Sequence, residues 1–183
     1  MEYITSTSDS LEEQVRNEFF KYRYNVFVER LGWELETDCH AETDQFDHEN
    51  TVYVIAVDDQ DHITGCARLL PTTEPYLLEE VFPELLNGMR PPKSTEIWEL
   101  SRFTSLDLNG QKTGKNSQFS SPATVELLKN TIECARARGA KRIISVSPLG
   151  IERLLRKAGF NAHRAGPPKI IGGYPLFACW IEL

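Results

Sequence analysis

The chain has 183 residues and a mass of 20.9 kDa, is 40% hydrophobic and 26% charged, and carries nine Phe, six Tyr and three Trp. One domain over residues 1–183 is expected, long enough to bury a core without disulfides or structural metal, and disorder, collagen and disulfide-framed miniproteins are excluded. A net charge of −7 argues against a nucleic-acid binder, and no apolar run approaches the ~18–20 residues of a membrane span.

Met1-Glu2-Tyr3-Ile4-Thr5 lacks a basic segment before an apolar stretch, and the cysteines at 39, 66, 134 and 179 have no C-x-x-C spacing. A cytoplasmic protein with reduced thiols and no bound metal is therefore expected. Ser10-Leu11-Glu12-Glu13 has the form of a capping box. It opens a helix whose apolar positions Leu11, Val15, Phe19, Tyr22 and Val26 recur at three to four residues, to about Arg30, with Gly32 ending it. Residues 34–50 are acidic, polar and aperiodic, a loop. Thr51 to Val57 is rich in β-branched residues, Asp58 to Asp61 is a turn, and His62 to Leu70 returns as the second strand of a hairpin.

Pro71 and Pro75 bound a loop, a short helical piece carries Leu77, Leu78, Val81 and Phe82, and Glu96 to Thr104 is a further strand. Residues 105–120, rich in Gly, Asn and Ser, read as a surface loop. Ser121-Pro122 supplies an N-cap with proline at the first helical position, for a helix to about Arg138 closed by Gly139. Arg142 to Ser147 is a strand, Gly150 to Ala158 a helix closed by Gly159, and Leu176 to Glu182 the last strand. A hairpin early and crossover helices later imply a mixed sheet with helices on its faces.

Charge is unevenly spread. Residues 1–100 hold 22 Asp and Glu against 7 Lys and Arg, whereas residues 129–169 hold 10 Lys and Arg against only Glu133 and Glu152. Between Arg136 and Arg142 this reads as solubility and helix-end charge. Further on it suits a dock for an acidic partner.

Some charges sit where a packed strand does not favour them: Arg68 within Gly65-Cys66-Ala67-Arg68-Leu69-Leu70, and Glu99, Ser101 and Arg102 within Ile97 to Phe103. Alternation sends Glu99 and Ser101 one way and Leu100 and Arg102 the other, unless a bulge re-aims one of them. Two readings stand: a buried Arg–Glu pair that fixes the fold, or a polar cleft cut into the sheet. Asp44 and Asp47, three apart, suit a cation, an ammonium or nearby arginines, and offer too few oxygens for a metal. His40, His48, His62 and His163 have neither metal-ligand spacing nor a nucleophile elbow beside them, and read as solvated or structural.

Taken in order, Arg23-x-x-x-Phe27, Gly32-Trp33, Asp44-x-x-Asp47, Arg68-Leu69-Leu70-Pro71-Thr72, Phe82-Pro83 and Trp98-Glu99-Leu100-Ser101-Arg102-Phe103 resemble the acyl-homoserine lactone synthase family of bacterial quorum sensing. The match is ordered across residues 23–103 and looser to the C-terminus. It implies an α/β fold: a mixed, mostly antiparallel sheet flanked by helices, an N-acetyltransferase-like sandwich with a V-shaped cleft for the acyl group. The pyrophosphate loop of acetyl-CoA-dependent N-acetyltransferases is missing before the helix at Pro122, where Asn116 to Ser121 stand. That favours an acyl carrier protein as donor, with S-adenosylmethionine as acceptor substrate and no cofactor.

The resemblance further implies catalysis by Glu99, Ser101 and Arg102. Glu99 takes the proton of the amine, through a water, and backbone amides near Ser101 to Phe103 hold the oxyanion. S-adenosylmethionine falls to Arg23, Phe27, Trp33, Asp44, Asp47, Arg68, Phe82 and Phe103. Carrier docking falls to Arg153, Arg156, Lys157 and Lys169, the first three at i, i+3, i+4. The acyl pocket falls to Ser147 and Leu149. With Ser at 147 and Pro148 after it, an unsubstituted medium chain, around octanoyl, is expected. The competing readings are an N-acyltransferase of the same fold that releases no lactone, and a non-catalytic binding module.

Overall fold

The computed structural model describes residues 1–109 and 121–183. Fourteen elements follow in order: β1 (Glu2–Thr7), α1 (Glu13–Arg23), a π-helix (Tyr24–Arg30), β2 (Val52–Val57), β3 (Ile63–Pro71), α2 (Leu77–Glu80), a 3-10 turn (Pro83–Leu86), β4 (Ile97–Thr104), α3 (Pro122–Ala137), β5 (Arg142–Pro148), α4 (Ile151–Lys157), β6 (Asn161–Arg164), β7 (Lys169–Ile171) and β8 (Tyr174–Glu182). The strands form one sheet in the order β1-β2-β3-β4-β5-β8-β6, with β7 on β8. Every pairing is antiparallel except β4 with β5. The expected mixed, mostly antiparallel sheet between helices is the one observed.

Strand alternation builds the layers. In β2, Val52, Val54 and Ala56 pack toward α3, where they meet Leu127, Leu128, Ile132 and Ala135. Tyr53, Ile55 and Val57 face α1 and meet Phe19, Tyr22 and Val26. A third cluster joins Leu70, Ile144, Ala178 and Trp180 to Tyr76, Leu78, Leu85 and Leu86. Each fully buried Leu or Ile contributes about 1.5–3 kcal/mol. Ser121 caps α3 as expected, its hydroxyl accepting from the Thr124 amide at 3.1 Å, and Gly139 follows with φ +88°.

Several local expectations are corrected. The capping box does not form: α1 begins at Glu13 with Glu12 at its N-cap, and the Ser10 hydroxyl lies 3.4 Å from Asp9 instead. The carbonyls of Ser8 and Leu11 accept from the Arg16 guanidinium. The long helix changes at Tyr24 into a π-helix. Unforeseen β1 pairs with β2 over six residues, Glu2 opposite Val57 to Thr7 opposite Val52. β6 and β7 were likewise unforeseen; both are short and take their order from β8. The part of the 105–120 loop at 110–120, and with it most of the Asn116–Ser121 segment, lies outside the described residues. No helix among the described residues is long and apolar enough to cross a membrane.

Candidate active site

Arg68 stands opposite Ser101 and Leu70 opposite Glu99 in the β3–β4 ladder. Trp98 and Leu100 of β4 point toward α3, so Glu99 and Ser101 point the other way. A regular strand would turn Arg102 to the Leu100 side. Instead the register slips, one extra β4 residue standing between the pairs Cys66–Thr104 and Arg68–Ser101. Arg102 takes φ +50°, a left-handed conformation that costs a non-glycine residue about 1–3 kcal/mol. This bulge re-aims its guanidinium onto the Ser101 side.

There Arg102 meets a closed ring of alternating charge. Arg23 Nε donates to Glu42 at 2.6 Å, and Glu42 accepts from Arg102 Nη2 at 2.8 Å. Arg102 Nη2 also donates to Asp44 at 2.9 Å, and Asp44 accepts from Arg68 Nη1. Arg68 Nη1 lies 3.2 Å from Asp47, which closes the ring by accepting two bonds from Arg23 at 2.7 and 3.0 Å. Tyr53 donates to Asp47 at 2.8 Å, and Arg68 Nε donates to the Ser101 hydroxyl at 2.9 Å.

Arg23 and Arg68 are fully buried, which is tolerable only because three cations meet three carboxylates. Burial alone would raise the Asp47 and Glu42 carboxyls; Arg23 with Arg68 holds Asp47 well below the carboxylate range, and Arg23 with Arg102 lowers Glu42. Glu42 lies outside the sequence motifs that carry the family resemblance. Three strand and helix arginines facing two loop aspartates implied a third carboxylate, and Glu42, two residues before Asp44, was the signal.

Glu99 is fully buried. Its carboxylate accepts the amides of Leu77 at 2.9 Å and Leu78 at 2.7 Å. Burial pushes it up to about 7, against those amides and the nearby Arg68.

The β4–β5 ladder ends at Leu100 opposite Ser145, while the strands run on to Thr104 and Pro148. Between the diverging ends lies an apolar cavity of about 340 Å³. Leu100 to Phe103, Ser145 to Pro148, Leu128, Leu154 and Phe160 line it. The Ser145 and Ser147 hydroxyls lie 2.9 Å apart. At its mouth Phe27 and Trp33 stack with centroids 4.8 Å apart. The Arg102 guanidinium lies 5.7 and 5.6 Å from these rings. The π-helix sets this stack, the Trp33 amide reaching back to the Phe27 carbonyl at 2.9 Å. A second, outer hollow of about 450 Å³ is lined by Asp9, Arg16, Asp44, Asp47, His48 and Glu49 among others.

The structure thus divides the residues singled out in the sequence. Phe27, Trp33, Ser101, Arg102, Phe103 and Ser147 line the inner cavity, Asp44 and Asp47 the outer hollow, and Arg23 and Arg68 lie buried in the ring joining them. Phe82 reaches neither; it packs on the third core cluster, because the 3-10 turn at Pro83 draws it there. Leu149 is 48% exposed and absent from the cavity lining. The turn into α4 points it outward, so Ser145, two residues before Ser147, takes its place. Arg153 and Lys157 are exposed on α4 and Lys169 is half-buried on β7. Arg156 is already engaged, donating to the Ala162 carbonyl at 2.6 Å and pairing with Glu152 at 2.8 Å.

A model of the autoinducer synthase family matches residues 7–182. An acyl-homoserine-lactone synthase of Acinetobacter nosocomialis is 53% identical over 183 residues, covering 100% of both chains. The crystal structure of TofI in a ternary complex with an inhibitor and MTA is 42% identical with a TM-score of 0.83, over 100% of this chain and 91% of that one. A CoA-dependent acyl-homoserine lactone synthase, BjaI, with SAM and isopentyl-CoA, is 25% identical with a TM-score of 0.83, over 97% of this chain and 81% of that one. The sandwich is the N-acetyltransferase-like one.

Proposed function

This chain belongs to the autoinducer synthase family and is an acyl-homoserine-lactone synthase, and from that premise we propose that it moves a medium acyl chain, about octanoyl, from an acyl carrier protein to the amine of S-adenosylmethionine. The observation that carries the reading is the apolar gap where β4 and β5 part, with the charged ring and the Phe27–Trp33 stack at its head. An alkyl chain fits an apolar gap, and a zwitterionic sulfonium fits an aromatic wall beside paired charges.

In the first step the amine loses a proton and attacks the thioester carbonyl. An N–C bond forms, the C–S bond breaks, and the carrier thiol takes up a proton. Glu99, at about 7, is poised near neutrality to accept the amine proton. To do so it gives up one of its bonds from Leu77 or Leu78 or works through a water. β4 amides beyond Leu100 have no ladder partner on β5, which suits them to the tetrahedral oxyanion. In the second step the substrate carboxylate attacks its own γ-carbon. The C–S⁺ bond breaks, neutral methylthioadenosine leaves and the lactone closes. Holding the carboxylate in line is the main demand, a role supported for Arg102 by its presence in the inner cavity lining. Glu42 and Asp44 hold that arginine, and the carboxylates of Asp44 and Asp47 suit the ammonium and sulfonium side.

MTA bound by TofI and SAM bound by BjaI support the acceptor. The CoA dependence of BjaI makes the donor the point to test. Incubation with S-adenosylmethionine and butyryl, octanoyl, 3-oxo-octanoyl or dodecanoyl carrier protein should give methylthioadenosine and lactone, with kcat/KM highest for octanoyl. Octanoyl-CoA should be the poorer donor. A linear amide without methylthioadenosine, or a preference for CoA, for either extreme of length or for the 3-oxo chain, overturns the corresponding part.

A further inference from the structure

The two most exposed large apolar side chains among the described residues are Ile170, at 72%, and Tyr174, at 70%. Both sit on one small feature. β7 and the start of β8 form a tight hairpin whose turn is Gly172-Gly173, with φ +57° and +84°, a backbone that only glycine adopts without strain. Ile170 pairs with Pro175 and Ile171 with Tyr174, so Ile170 and Tyr174 project from opposite faces of the ribbon. Ile171 packs inward on the third core cluster. Ile170 and Tyr174 contribute little to any core, and water would favour polar residues in their place.

The finger is anchored at the lip of the acyl cavity. The Leu149 amide donates to the Pro175 carbonyl at 3.3 Å. Leu149, itself exposed, lies between Pro148 and Ile151, which both line that cavity. The flanking sequence is cationic: residues 149–176 hold five Lys and Arg against Glu152 alone, in a chain of net charge −7. Glu152 is engaged by Arg156 and Arg164. Arg153, Lys157 and Lys169 have no ion pair among the described residues. An apolar tip containing an aromatic residue, with Lys169 on the same strand and the cations of α4 following Leu149 in the chain, has the make-up of an interface for an acidic protein.

We propose that the β7–β8 finger, with Leu149, is the apolar anchor for the acyl carrier protein, α4 supplying the cationic rim and the cavity beside it receiving the acyl arm. This rests on the carrier-protein donor proposed above. The occupant is the carrier rather than a second copy of this chain because the anchor adjoins the cavity that a carried acyl chain must enter. Binding here places the thioester at the parted ends of β4 and β5 and leaves the Phe27–Trp33 side of the cavity to the second substrate.

The double variant Ile170→Ser, Tyr174→Ser leaves the glycine turn and the core untouched, and Ile170→Glu tests the same point with a repulsive charge. Each is assayed with octanoyl carrier protein and with octanoyl-pantetheine, the arm without the protein. The KM for octanoyl carrier protein should rise about fivefold or more. The KM for S-adenosylmethionine, the rate on octanoyl-pantetheine and the melting temperature should not change. An unchanged carrier KM overturns the anchor and leaves the donor reading standing. An equal loss on both donors makes the finger structural. Dissociation of a wild-type dimer by the substitutions, with the carrier KM unchanged, assigns the finger to self-association. Refusal of octanoyl carrier protein by the wild-type enzyme removes the donor reading, and the anchor with it.

Discussion

Glu99 joins two demands on one carboxyl, since it anchors the Leu77 and Leu78 amides and is raised by burial to about 7. In the proposed role of base it acts deprotonated, so kcat/KM should climb with pH through about 7 and level off above it. Glu99→Gln should lower turnover ~10²–10⁴-fold and abolish that limb. A retained limb near pH 7 assigns it to another group. The variant also leaves one buried amide facing a donor, at a cost of about 1–3 kcal/mol visible in thermal unfolding. The linkage has a definite sign. With its folded value above the reference 4.5, Glu99 contributes stability at acid pH that is lost as pH rises toward 7. Glu42 and Asp47, held low, contribute stability near neutrality that is lost as pH falls through their depressed values. Arg68 and Glu99 were legible in the sequence because charges in a strand are conspicuous, and Ser101 because it stands beside them in the Glu99-Leu100-Ser101-Arg102 run. The face that Arg102 takes was not, because alternation gives the wrong side and only the bulge at φ +50° corrects it.

At the scale of elements, the hairpin of β2 and β3, the capped helix α3 and the strands β4, β5 and β8 were legible from periodicity, glycines and the Ser121-Pro122 signal. β1 and β6 were not, since short strands take their order from neighbours rather than from their own residues. Nor was the π-helix, because its wider turn breaks the 3.6-residue rhythm on which helix recognition depends. The parting of β4 from β5 is a pairing property invisible in either strand alone, and it sets the apolar cavity proposed for the acyl chain. Leu128, on α3, closes one wall of that cavity. Leu128→Phe should shorten the accepted chain, moving the kcat/KM optimum from octanoyl toward butyryl. At about 1–3 kcal/mol per methylene the change should be graded, each methylene that no longer fits costing roughly 10- to 200-fold. An unmoved optimum would place the chain terminus elsewhere.

For the whole molecule, the decisive property is polarity of charge: an acidic N-terminal hundred residues and a basic C-terminal surface. This was legible by counting alone, although the engagement of Arg156 in the fold was not. Arg153→Glu with Lys157→Glu should raise the KM for the acyl carrier protein while leaving that for S-adenosylmethionine nearly unchanged. Added salt should weaken carrier use by the wild-type enzyme, exposed charges being screened over ~8–10 Å. An equal effect of charge reversal on both substrates would make α4 structural.

The closed ring of Arg23, Glu42, Arg102, Asp44, Arg68 and Asp47 has a consequence for how such a sequence can change over generations. Every member is shared by two neighbours, so replacing one leaves two opposite charges half-matched, and a lone loss in a buried pair costs about 3–5 kcal/mol. Replacing an adjacent acid and base together by neutral residues keeps the remaining charges balanced. Double-mutant cycles around the ring should therefore be strongly non-additive, by about 0.5–3 kcal/mol per adjacent pair. Drift by single steps is blocked there, and inheritance proceeds by paired replacement or by none.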